Sequence, residues 1–181
     1  SLNPVVFENL AITTSVVKTA GAGINFNTAT SYAARCRVQN VSIRLMFYGI
    51  FVTQGLFDSV IRDCWIQDFV NTGIYIKNVA ANKDSGDNLI QGCVIWDLND
   101  GASQHCIRYD KGGTLTVANN KLLGSLYGFR MVLDDGPTGT LIISGNSIEN
   151  QRTKGISLEQ ATTGKTFAHV VIASNQFLQN A

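Results

Sequence analysis

The chain has 181 residues, a formal net charge of +1 and only 15% charged residues, which gives no basic footprint for nucleic acid or for an anionic membrane surface. It contains neither an 18-residue apolar run able to span a bilayer nor an apolar leader core, so no membrane insertion is expected. Its length and its 45% hydrophobic content suit one domain, 1–181, and the missing initiator Met suggests a piece of a longer chain.

Taken in chain order, the predicted elements repeat. A six-residue unit, apolar at both ends, recurs as FENLAI (7–12), VQNVSI (38–43), IRDCWI (61–66), IQGCVI (90–95), VANNKL (117–122), ISGNSI (143–148) and IASNQF (172–177). Successive copies begin 31, 23, 29, 27, 26 and 29 residues apart, a solenoid period. The third place is Asn9, Asn40, Asp63, Gly92, Asn119, Gly145 and Ser174, residue types that accept turn or left-handed dihedrals. A sharp corner is expected there in every coil.

A second run follows each of the first six units. Its copies are Gly23-Ile24-Asn25-Phe26, Gly49-Ile50-Phe51-Val52, Gly73-Ile74-Tyr75-Ile76, Cys106-Ile107-Arg108-Tyr109, Gly128-Phe129-Arg130-Met131 and Gly155-Ile156-Ser157-Leu158. The period is two, so the run predicts a strand. A leucine-rich repeat would demand Leu at most of the apolar places, and ankyrin or tetratricopeptide repeats would demand helices. Ile and Val dominate instead, and no 3.6-residue stripe is present. The expected fold is therefore all-β, a right-handed parallel β-helix of about seven coils with strands stacked at roughly 4.8 Å.

The fourth place of the unit, Leu10, Val41, Cys64, Cys93, Asn120, Asn146 and Asn175, is expected to point inward. The three Asn predict an amide ladder that satisfies buried polar groups from coil to coil. Cys64 and Cys93 read as buried free thiols, with a disulfide between them the alternative that distance alone allows, and Cys36 reads as a buried thiol too. Cys106, in place of a glycine, is expected to be partly exposed. The cysteines lack zinc or redox spacing, and no motif implies a cofactor or a metal.

The units, the Asn ladder and the Gly-Ile strands resemble the pectin lyase-like single-stranded right-handed β-helix superfamily over nearly the whole chain, from about 7 to 180. Irregular coil lengths, low charge and buried thiols are most similar to a bacteriophage tailspike or capsule depolymerase. That resemblance implies a homotrimer that binds and degrades capsule or O-antigen polysaccharide, located on the virion, or otherwise secreted. No catalytic role carries over. The polygalacturonase set of Asn-Thr-Asp, Asp-Asp and Gly-His-Gly is matched only by Asp134-Asp135, and no Arg-x-Pro-x-x-Arg segment or acidic calcium cluster of the pectate lyase kind is present.

Candidate site residues therefore come from stacking the outward places of the second strand: Asn25, Phe51, Tyr75, Arg108, Arg130 and Ser157. Aromatics beside arginines offer a flat face for a sugar ring and forked donors for its hydroxyl or acid groups. The next outward row, Asn27, Thr53, Lys77, Asp110, Val132 and Glu159, supplies counter-charges. Asp110 and Glu159 would stand two coils apart, roughly 9.6 Å between backbones, near the upper end for an inverting acid and base. Asp134 and Asp135 are possible closer partners. The alternative is a solvated face whose arginines are satisfied by these carboxylates.

Trp65 and Trp96 are expected on another side of the prism, as a subunit interface or a sugar platform. His105 reads as a loop residue within 96–105, which with 77–88 forms the largest central insertions, placed on the functional face. Two function classes stand: an endo-acting polysaccharide hydrolase or lyase, including a pectin-type enzyme, and a non-catalytic β-helical shaft or receptor-binding module.

Overall fold

The computed structural model describes residues 4–27, 32–77, 86–97, 103–133, 139–160 and 168–179. Every strand pairing described is parallel, and each links equivalent strands of successive coils. Two adjoining faces begin as one strand bent across the corner, Val6–Thr13 and then Arg37–Arg44, and continue as separate strands such as Val60–Arg62 and Trp65–Gln67. The third face stacks Ala22–Phe26, Tyr48–Val52, Thr72–Lys77, His105–Asp110, Tyr127–Leu133 and Lys154–Gln160. Seven corner units are visible. On the two corner faces the five internal coils are paired above and below, while on the third face Ala22–Phe26 and Lys154–Gln160 are the edge strands among the described residues.

The corners sit where the sequence places them. Asn9, Asn40, Asp63, Asn119 and Ser174 have φ between 51° and 56°, and Gly92 and Gly145 both have φ 66°. This left-handed conformation is the one that Asn, Asp and Gly tolerate at low cost. Behind each corner the fourth-place side chain turns inward, and Asn120, Asn146, Cys64 and Cys93 are all at most 2% exposed.

The amide ladder does more than link side chains. Asn146 Nδ2 donates to Asn175 Oδ1 at 2.9 Å and to the Val117 carbonyl at 3.0 Å, while its Oδ1 accepts from the Asn120 backbone N–H at 2.9 Å and from Asn120 Nδ2 at 3.0 Å. Asn120 Oδ1 in turn accepts from the Cys93 N–H at 2.9 Å. Backbone groups freed by the corner are thus satisfied by the neighbouring coil.

The core is a column of Ile and Val between the faces, including Ile43, Ile66, Ile74, Ile95, Ile107 and Ile148, none above 2% exposed. Glycines opening the third-face strands mark its closest approach: a Cβ on Gly23 would stand 2.6 Å from Ile43 Cγ2, and one on Gly128 2.9 Å from Ile148 Cγ2. Cys106 takes that place in the fourth coil and is fully buried, with Sγ 3.2 Å from Ser125 Oγ, which corrects the expected partial exposure. All four cysteines are free and buried.

Candidate functional site

The outward rows of the third face have the register read from the sequence. Asn25, Phe51, Tyr75, Arg108, Arg130 and Ser157 follow one another as Cα partners, and so do Lys77, Asp110, Val132 and Glu159. A third row forms ahead of them, Tyr48, Thr72, His105, Tyr127 and Lys154. Strict alternation counted back from the buried Ile hides it. The pairing skips the position of Gly49, Gly73, Cys106, Gly128 and Gly155, so the residue before each glycine-like place leaves the inward phase.

This third row supplies what the sequence reading lacked. Tyr48 stacks on Phe51, ring centroids 4.6 Å apart and planes 21° apart, and Phe51 lies 5.3 Å from Tyr75. Tyr75 is only 8% exposed, covered by its neighbours, so Phe51 and Tyr48 carry the accessible aromatic surface in its place. The Arg108 guanidinium sits 4.8 Å over the Tyr75 ring, within cation–π range.

Both arginines are held by carboxylates. Arg108 Nε donates to Asp110 Oδ1 and Oδ2 at 3.1 and 3.0 Å, and its Nη2 lies 2.9 Å from Oδ2. Tyr75 O–H donates to the same Oδ2 at 2.7 Å. Burial, followed by the Asp110 charge, pushes the Tyr75 phenol well above its ordinary value, so it stays protonated. One rung on, Arg130 grips Glu159 in two-pronged fashion, Nε to Oε1 at 3.0 Å and Nη2 to Oε2 at 2.6 Å, with Ser157 Oγ donating to Oε1 at 2.9 Å. The Arg130 fork holds the Glu159 carboxyl below the usual range.

His105 is not a loop residue. It begins the strand His105–Asp110, is 1% exposed, and stacks on Tyr127 at 5.2 Å. Its Nε2 lies 3.3 Å from Arg130 Nη1, and its Nδ1 lies 3.4 Å from Thr72 Oγ1. Burial and then the charges of Arg108 and Arg130 bring its pKa down to about 3, so the ring is neutral. Because Arg can only donate, Nε2 is the acceptor, and the proton is assigned to Nδ1. Arg130 is thereby engaged on Nε and both Nη nitrogens. Arg108, among the described residues, has Nη1 free of any acceptor.

The expected roles divide accordingly. Glu159 is ionised and locked, an arrangement unsuited to proton donation near neutral pH. Asp110 is buried and bonded to Tyr75 and Arg108. Lys77 stands beside Asp110 in the row and is half-buried. Asp134 and Asp135 lie outside the described residues, as do most of the insertions 77–88 and 96–105. Among the described residues no group of three or more His, Cys, Asp or Glu is arranged to hold a metal ion. Trp65 is 46% exposed and Trp96 half-buried, on the strands Trp65–Gln67 and Val94–Trp96, a different face from the arginines.

Comparison with known proteins bears on the fold. The chain is similar to the periplasmic alginate epimerase AlgG, at 14% identity and TM-score 0.58 over 86% of this chain and 38% of that one. Its likeness to a single-substitution mutant of that protein is close to the same, TM-score 0.57 over 81% of this chain and 39% of the other. The chain thus spans about two fifths of those structures, and identity this low concerns architecture alone. No curated protein matches the chain. Residues 3–138 match the family described as the right handed beta helix region, and with the corner, ladder and register geometry above this places the chain in the right-handed β-helix family.

Proposed function

We propose that the third face holds an acidic polysaccharide laid along the stack, and that the chain serves a polysaccharide-binding or polysaccharide-modifying protein. The observation that carries this is the row in which the Tyr48–Phe51 aromatic surface passes, one rung at a time, into Tyr75, Arg108 and Arg130. A sugar ring stacks on the aromatic end while Arg108 Nη1, the unspent donor, meets a hydroxyl or acid group of the next residue. Lys77, one rung from Asp110, adds a second positive charge at that point. The alginate epimerase likeness supports polysaccharide as the ligand class.

Binding is favoured over hydrolysis by an Asp110 and Glu159 pair, since Glu159 is tied to Arg130. A chemical step is better served by Asp110 with Tyr75, a buried carboxylate and a retained proton 2.7 Å apart. The finer reading, a homotrimeric phage tailspike acting on capsule or O-antigen at the virion surface, rests on the family resemblance. One experiment addresses all of these. The protein is titrated calorimetrically with alginate, polygalacturonate, capsule and lipopolysaccharide preparations and their carboxyl-reduced forms, and the mixtures are followed for new reducing ends and unsaturated-uronate absorbance. Saturable binding lost on carboxyl reduction supports the proposal. Equal affinity for native and reduced forms, or no binding, overturns it, and new ends or absorbance in the capsule or lipopolysaccharide samples alone supports the tailspike reading.

A further inference from the structure

A groove lies on the opposite side of the prism. It runs outside the corner of the first four coils, with a volume of about 500 Å³, between the third-place row Asn9, Asn40, Asp63 and Gly92 and the fifth-place row Ala11, Ser42, Trp65 and Val94. Ala11, Ser42 and Trp65 are Cα partners on successive rungs. Two small side chains therefore form a floor that ends at the indole. Trp65 is 46% exposed, yet its Nε1–H donates to Gln67 Oε1 at 2.6 Å, so the ring is anchored by its edge and its face is left open.

The polar wall has a fixed pattern. Asn40 Nδ2 donates to Asn9 Oδ1 at 2.8 Å, which turns Asn40 Oδ1 and Asn9 Nδ2 toward other partners. Asp63 follows on the next rung with its side chain 60% exposed. The wall thus offers a donor, an acceptor and an anionic acceptor at strand spacing, roughly 4.8 Å apart. Hydroxyl groups, which both donate and accept, answer that pattern; an anion does not, because the nearby cation Arg62 already faces Asp63 at 3.9 Å and Gln39 at 2.7 Å. An aliphatic ligand would leave the wall unpaired.

We propose that this groove binds a neutral sugar residue, its apolar face against Trp65 and its hydroxyls on Asn9, Asn40 and Asp63. The site is independent of the arginine face and gives the solenoid two glycan contacts on different sides.

The test uses the full chain carrying Trp96→Phe, so that the emission of the only remaining tryptophan reports Trp65. It is titrated with cellohexaose, maltohexaose and mannohexaose. A saturable emission change with at least one of them is expected. In the calorimeter, Trp65→Ala should weaken that sugar about tenfold or more, the scale of one lost aromatic platform. Asn40→Gly, which suits the φ of 51°, should weaken it about threefold to tenfold, and Arg108→Ala should leave it unchanged. Failure of all three sugars to alter the emission overturns the proposal. So does a concentration-dependent mass in sedimentation that Trp65→Ala abolishes, since a second copy would then cover the indole.

Discussion

Replacing Asn146 with Ala tests the ladder that ties the coils together. Asn146 is 1% exposed and makes four hydrogen bonds through its amide. Without it, Asn120 Nδ2 retains the Ile90 carbonyl at 3.0 Å, and Asn175 Oδ1 retains the Asn146 backbone N–H at 3.0 Å. The Asn120 backbone N–H retains no side-chain acceptor. One orphaned buried donor costs about 1–3 kcal/mol, and the weakening of the other bonds adds about 1–2 kcal/mol, for a total of about 2–5 kcal/mol. For a chain of this size that corresponds to a fall in Tm of about 5–15 °C. Far-UV circular dichroism melts and denaturant midpoints measure it, with Asn146→Leu as a companion. The leucine restores volume but not the acceptor, so it should fall with the alanine. A melt within about 1 °C of the parent for both variants would refute the assignment of stability to the ladder.

Further outcomes are expected from the site and the core. Arg108→Ala should weaken acidic glycan binding by about 1.5–3 kcal/mol, the scale of a hydrogen bond to a charged group, with the fold retained but the melt lowered, because buried Asp110 loses its cation; undiminished affinity in calorimetry would remove Arg108 from the site. Arg130→Ala should likewise lower the melting temperature, because it leaves Glu159 and His105 without their shared partner. His105 has its pKa depressed from 6.5 to about 3, so the unfolded chain binds the extra proton, and the stabilising contribution present above pH 6.5 is lost as pH falls toward 3. The slope approaches about 1.4 kcal/mol per pH unit between those limits, and denaturant midpoints across that range should flatten in His105→Gln; parallel curves for parent and variant would show that His105 does not titrate in this way. Ile74→Ala or Ile107→Ala should cost about 2–5 kcal/mol in denaturant unfolding, since both are fully buried in a continuous stack. Cys64, Cys93 and Cys106 should resist thiol reagents until the chain is unfolded, and rapid native labelling would place them at the surface.

What could be read without a structure was whatever repeats. Seven third-place residues announced seven left-handed corners, because a single positive-φ residue per coil needs Asn, Asp, Gly or Ser at a fixed offset from the flanking Ile and Val. The stacking order Phe51, Tyr75, Arg108, Arg130 followed from the same offsets, since parallel coils in register bring equivalent places together. The Asn120, Asn146 and Asn175 ladder followed in turn.

Side-chain closure within a row was decided only by the tertiary structure. The register says that Arg108 and Arg130 are neighbours, but not that Arg108 reaches two residues along its own strand to Asp110 while Arg130 crosses a coil to Glu159. Tyr75 was read as open and is covered, and His105 was read as a loop residue and is sealed beneath Arg130 and Tyr127. Tyr75 keeps its outward place and is covered by Arg108 and the neighbouring rings, whereas His105 falls where the alternation fails. Period-two alternation is a local rule, and it breaks at the glycine places, where the third face closes on the Ile column and the pairing skips a residue. Only the folded coil, with its faces in contact, shows which side of that break a residue falls on.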